Sequence, residues 1–212
     1  MKVLSFDMYN EYVHFHNFYN SELLANTNVV VIFNTNDSTS RVISEMKLRG
    51  FTCEKYSLLK DADETTSVYL IFVHGMYRVD NSIYNYNTHS RHKTYVYYKL
   101  KDSEGRCCDF VTTLFDDRIG LRTQQLTQLA NFLGTLECEN VAVVSRCNIM
   151  PQHELSLFVM NGYSDVWYEK GTSEELCEER PVRFWSKTQE ACDSYFTHVV
   201  EDTQIFEANY KI

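Results

Sequence analysis

Proline is nearly missing from this chain. Of 212 residues only Pro151 and Pro181 are proline, and only seven are glycine. So little of either leaves few natural linkers and argues against a string of small modules. Long apolar runs are missing too. None approaches the roughly 20 residues needed to span a bilayer. Met1 to Phe6 is too short to be a secretory signal, and Asp7 interrupts it. No C-x-x-C pair occurs among the seven cysteines, Cys53, Cys107, Cys108, Cys138, Cys147, Cys177 and Cys192. An odd count with no signal reads as reduced thiols and a cytoplasmic location. Positive charge is in deficit, 20 Lys and Arg against 29 Asp and Glu, for a net −9. Broad nucleic-acid binding rests on cations neutralising phosphates, so this balance speaks against it. The same balance would tolerate a basic partner.

What the chain does have is aromatic residues, 15 Tyr and 13 Phe, which favour strands and ring packing. The Asn- and Tyr-rich, Pro-poor composition has the character of a viral or phage protein. Residues 1–27 carry apolar residues at spacings of three and four, which predicts one or two amphipathic helices. His14 and His16 lack a nearby third ligand and read as surface histidines. Asn28-Val29-Val30-Val31-Ile32-Phe33 is a continuous apolar run, as in a strand covered on both faces. A helix follows up to Arg49-Gly50, and then a strand from Phe51 to Leu58. Val68 to Val79 and Lys93 to Leu100 alternate as strands, with Asp80 to His92 between them as a loop. His89-x-x-His92 has a spacing known from metal sites, but Arg91 and Lys93 beside it oppose a cation, and no metal is expected. Arg91, Lys93, Lys99 and Lys101 read as a solvated face.

The richest stretch runs from Arg106 to Glu169. It predicts a strand over 107–114, a turn over 115–120, a helix from about Leu121, a strand over 141–145, a helix over 152–161 and a strand over 164–169. Leu126, Leu129, Ala130, Leu133 and Leu136 make a clear helical stripe. The units 28–58 and 140–169 share a pattern. The step from Asn to the closing Gly is 22 in both (50 − 28 and 162 − 140). An internal duplication is one reading, and two independent units of equal length is the other. In the tail, 182–185 and 203–212 read as strands and 188–200 as a helix, from Ala191, Tyr195 and Val199 at a spacing of four. The expected organisation is residues 1–67, 68–170 and 171–212 within one compact unit.

A three-stranded meander, a turn at a helix start, then strand, helix, Gly-Tyr and strand resembles the GNAT superfamily of N-acetyltransferases over about 68–170. The resemblance implies an α/β (α+β) fold with one mixed, mostly antiparallel central sheet flanked by helices. It implies acetyl-CoA as cofactor, with its pyrophosphate on backbone N–H groups at the helix start, at Arg118, Gly120, Leu121 and Arg122. Arg122 stands where the family has a small residue. Asn148 would lie near the cofactor arm. The family's acid toward the leaving thiolate is a tyrosine four residues before the Gly-Phe; here that position is Phe158, which passes the role to Tyr163 or Tyr168. Glu104, Asp109, His74 and Asp116 are candidate bases, Glu104 foremost. The implied function is acyl transfer from acyl-CoA to a small-molecule or protein amine. The alternative is an inactive protein of that fold that binds a protein partner or builds an assembly. A nucleophile at Cys107-Cys108 is the weakest option, since strand cysteines are mostly packing residues.

Overall fold

The computed structural model describes residues 1–8, 12–35, 39–57, 68–89, 94–146, 156–157, 159–160, 162–166, 182–187, 192–200 and 203–211. Twelve strands and three α-helices are described: β1 Lys2–Asp7, α1 Tyr12–Asn20, β2 Val29–Phe33, α2 Thr39–Leu48, β3 Thr52–Ser57, β4 Val68–Val73, β5 Tyr77–Asn85, β6 Thr94–Lys101, β7 Cys107–Leu114, α3 Ile119–Leu133, β8 Val141–Arg146, β9 Ser164–Asp165, β10 Val182–Ser186, β11 Cys192–Val200 and β12 Thr203–Tyr210.

They form two six-stranded sheets, ordered β11-β12-β1-β2-β4-β3 and β5-β6-β7-β8-β10-β9. Each sheet has one parallel pair at its centre, β1 with β2 and β7 with β8, and antiparallel neighbours elsewhere. The sheets stack face to face. Val3, Val29, Val31, Phe33 and Ile71 from the first meet Val96, Tyr98, Phe110, Ala142, Val144 and Phe184 from the second in one buried layer. The outer face of the first sheet packs Leu4, Phe6, Val30 and Ile32 against Phe15 and Phe18 of α1 and Val42 and Met46 of α2. The outer face of the second packs Val111, Val143 and Trp185 against Leu126, Leu129 and Leu133 of α3. The result is four layers, helix, sheet, sheet and helix.

This corrects the expectation of one central sheet flanked by helices. The apolar runs of β2 and β8 are covered on both faces, as expected of such runs. Periodicity does not tell what covers each face. Here it is a helix on one side and another sheet on the other. The two strand-helix-strand units therefore sit in different sheets. Their alignment is also one residue out of facing. Val31 points into the inter-sheet layer, whereas its counterpart Val143 points toward α3, because a one-residue slip turns every strand side chain over.

Four elements differ from the sequence expectation. Residues 2–7, expected in a helix, form β1 at the heart of a sheet. The run is short, and the longer aromatic period after it masked its strand character. Residues 80–85, expected in a loop, belong to β5, and 77–79 start that strand instead of continuing β4, with Gly75 (φ 68°) in the left-handed turn after β4. Residues 192–200 form β11 rather than a helix. Tyr195-Phe196-Thr197 and Val199-Val200 are strand formers, and pairing with β12 outweighs the spacing of four. Residues 68–73 pair with β2 and β3 in the first sheet, so the meander that remains is β5-β6-β7. The expected helix over 152–161 and the metal-spaced pair His89-x-x-His92 fall partly outside the described residues. No described helix is long and apolar enough to cross a membrane.

Candidate functional site

β1 and β2 run parallel, as do β7 and β8, and the contact of Asp7 at the end of β1 with Arg146 at the end of β8 brings all four strand ends to one end of the sandwich. Chains leaving parallel strands at that end build the loops on which α/β proteins place their polar groups. Asp7, the last residue of β1, points between the sheets, and its side chain is 1% exposed. A carboxylate that deep needs partners for its oxygens. Asn34, just past β2, takes a left-handed backbone (φ 57°) that asparagine tolerates, and its Nδ2 donates to Asp7 Oδ1 at 2.7 Å. From the second sheet, Arg146 at the end of β8 donates its Nε to Asp7 Oδ2 at 2.9 Å. The two sheets are thus tied at this end by a largely buried ion pair.

The turn from β7 into α3 closes the same end. Asp116 is buried; its backbone N–H donates to Gln125 Oε1 at 2.9 Å, and its carboxylate accepts both Nε and Nη2 of Arg118 at 2.9 Å. Arg122 is 2% exposed and donates to the carbonyls of Asp116 at 3.3 Å and Asp117 at 3.0 Å. Asp117 lies 4.0 Å from Arg146 Nη1. On the other flank His14 Nδ1 meets Thr203 Oγ1 at 2.7 Å. The end therefore carries arginines and aspartates in alternation, each side chain engaged by another group of the chain.

The structure brings Arg118, Gly120, Leu121 and Arg122 together in the first turn of α3. The other candidates lie elsewhere. Glu104 sits in the exposed β6–β7 turn beside Arg106, before the start of β7, while Arg118 follows its end. Tyr163 is buried and its hydroxyl donates to the Leu133 carbonyl at 3.2 Å, at the far end of the 15-residue α3. That helix is about 22 Å long. Burial holds the Tyr163 phenol well above its ordinary range. Asp109 accepts from the Tyr97 hydroxyl on the helix-side face, and His74 packs against Phe51. Asn148 and Tyr168 lie outside the described residues.

Acetyl-CoA does not fit this arrangement. The cofactor of an N-acetyltransferase needs the parallel strands to part and a small residue at the helix start. Here β7 and β8 stay in register from Asp109↔Val141 to Leu114↔Arg146. The place for the small residue is filled by the buried Arg122, which uses its donors on the turn's own carbonyls.

Buried carboxylates at a strand end are a common setting for a divalent ion. The described residues at this end do not fit one. Asp7 already accepts on both oxygens, once from a guanidinium. A divalent ion about 4 Å from that unit charge would be repelled by roughly 8 kcal/mol at an effective dielectric of 20. Among the described residues no group of three or more His, Cys, Asp or Glu is placed to hold a metal ion.

Sequence reasoning treated Asp7 only as the residue that ends an apolar run, and it passed over Asn34 and Arg146. The usable signal was positional, a polar residue at the end of β1 and of β8 and another just past β2.

No family model matches the chain, and no characterised protein matches it by sequence. Solved structures do match by shape. An endonuclease/exonuclease/phosphatase from Bacteroides vulgatus superposes with a TM-score of 0.75 at 11% identity, covering 100% of this chain and 98% of that one. TDP2 of D. rerio, solved with a single-strand DNA product, superposes at 0.70 with 12% identity over 100% and 99%. The human Nocturnin catalytic domain, solved with a bound sulfate anion, superposes at 0.71 with 8% identity over 100% and 93%. These matches overturn the resemblance to N-acetyltransferases and, with it, the acyl-transfer function read from the sequence. At such identities they establish architecture: this chain has the two-sheet sandwich fold of the endonuclease/exonuclease/phosphatase proteins.

Proposed function

We propose that this chain is a binding protein built on the endonuclease/exonuclease/phosphatase scaffold, one that engages its partner without hydrolysing a phosphate ester. The observation that carries this reading is the state of Asp7, whose two oxygens are taken by Asn34 and Arg146. Cleaving a phosphodiester needs a group that activates water or a cation that neutralises developing charge. At the end of the sandwich where the central strands converge, the described carboxylates that could serve are engaged by the chain's own arginines. The net charge of −9 favours a basic protein surface over free nucleic acid as partner.

The test is incubation with single-stranded DNA, a phosphorylated oligonucleotide and a chromogenic phosphodiester, each with Mg²⁺ or Mn²⁺. Product at the rate of the protein-free blank is expected. Turnover that disappears in Asp7→Asn overturns the reading. A second reading, a phosphodiester hydrolase, is favoured by the whole-length superposition on a protein described as an endonuclease/exonuclease/phosphatase. In that case Arg146 would leave Asp7 to donate to a phosphate oxygen, and the same assay would give product.

A further inference from the structure

We propose that the Arg146 guanidinium is a built-in cation, which links the two sheets through Asp7 where a divalent ion would otherwise sit and leaves the native chain without use for one. This deepens the reading of the site above and rests on it. Asp7 ends the central strand of the first sheet and is all but fully buried, so its charge needs a positive counterpart inside the protein. Arg146 ends the parallel central strand of the second sheet, and its side chain is 11% exposed. Its position gives it two acidic neighbours, Asp7 at 2.9 Å and Asp117 at 4.0 Å.

The surroundings hold that placement. Leu114↔Arg146 is the last pair of the β7–β8 ladder, and the Phe115 N–H donates to the Arg146 carbonyl at 3.0 Å, so the backbone beneath the guanidinium is fixed. Arg122 holds the carbonyls of Asp116 and Asp117, which keeps the segment carrying Asp117 beside Arg146. Asn34, from the first sheet, donates to the other oxygen of Asp7 and so fixes the carboxylate that faces Arg146. Two carboxylates from two separate segments, Asp7 and Asp117, with one positive charge between them, is an arrangement of oxygen donors around a cation. The cation is covalently part of the chain. Removing it takes the Arg146 charge away from the buried carboxylate of Asp7 and from the nearby carboxylate of Asp117, and a hard divalent ion can supply that charge instead.

Thermal unfolding of the full chain with Mn²⁺ and with EDTA tests this. The wild-type midpoint is expected to stay within error under both. Arg146→Ala is expected to melt lower and to regain roughly 3 °C or more with millimolar Mn²⁺. Arg146→Lys, which keeps the charge, is expected to ignore Mn²⁺. If Arg146→Ala does not fold, Arg146→Gln, close in shape and neutral, carries the same expectation. A wild-type protein stabilised by Mn²⁺ or destabilised by EDTA overturns the proposal, as do neutral variants that ignore Mn²⁺. Wild-type Mn²⁺ binding without phosphodiester cleavage would remove the built-in cation and leave the binding reading standing. Cleavage that persists in EDTA would do the reverse.

Discussion

The two sheets are the same drawing made twice. Strand for strand, β11-β12-β1-β2-β4-β3 and β5-β6-β7-β8-β10-β9 have the same order and the same mixture of parallel and antiparallel pairs. Their ends carry different chemistry. The first sheet presents Asp7 and Asn34 after its central strands; the second presents Arg146 and the Asp116-Asp117-Arg118 turn. Topology repeats because one hydrogen-bonding scheme and one apolar pattern suffice to build it. The polar residues at the strand exits are free to diverge, and here they diverge into complementary charges that join the two halves.

Four experiments break or sharpen that comparison. The largest effect is expected beneath α3. Trp185 is wholly buried, with its indole N–H on Ser145 Oγ at 3.1 Å. Trp185→Ala should cost about 3–5 kcal/mol. If the sheets were independent, denaturant would then reveal two transitions. The shared inter-sheet layer predicts a single transition at lower denaturant with an unchanged slope.

Next come the two holders of Asp7. Arg146→Met leaves a buried carboxylate without the Arg146 charge and should cost about 3–5 kcal/mol, whereas Asn34→Ala removes one hydrogen bond from a neutral donor to that carboxylate and should cost about 1.5–2 kcal/mol. Asp7→Asn combined with Arg146→Met should recover most of the larger loss. Chemical denaturation of the three variants checks the order, and equal losses for Arg146→Met and Asn34→Ala would erase the charge argument.

The third effect depends on pH and probes the sheets away from that end. Tyr56 of β3 and Tyr98 of β6 join hydroxyls at 2.6 Å across the inter-sheet layer. Burial pushes the Tyr56 phenol from 10.0 up to about 12, and Tyr98 higher still. A raised phenol means the folded state keeps a proton that the unfolded chain releases. Stability is therefore complete below pH 10 and falls as pH climbs toward 12. Melting midpoints across that range should drop more steeply for the wild type than for Tyr56→Phe. Parallel curves would show that the pair does not titrate with unfolding.

The smallest effect belongs to the exposed ion pair between Arg78 of β5 and Glu54 of β3, one strand from each sheet. Glu54→Ala should cost no more than about 1 kcal/mol, since solvent screens such pairs. Set against Arg146→Met, it measures what burial adds to an ion pair that bridges the same two sheets.

Much of the secondary structure could be read directly. The runs around Val29–Phe33, Cys107–Leu114 and Val141–Arg146, and the leucine stripe of α3, fall where their patterns place them. β1 and β11 did not, because short or aromatic-rich stretches carry weak periodicity and their antiparallel partner, β12, lies more than 200 residues from β1 and across a hairpin from β11. The Asp7–Arg146 contact spans 139 positions, and nothing local in either residue announces the other.

The order of apolar and polar residues alone decided that buried strands alternate with amphipathic helices, since side-chain period and burial are local matters. Which faces those strands turn to one another was decided by the tertiary structure. One apolar face satisfies either a helix or a second sheet, and only the folded chain selects between them. The same holds for the polar end. Asp7, Asn34 and Arg146 become one group because two separate sheets run out at one place, a fact of packing that no stretch of the chain contains.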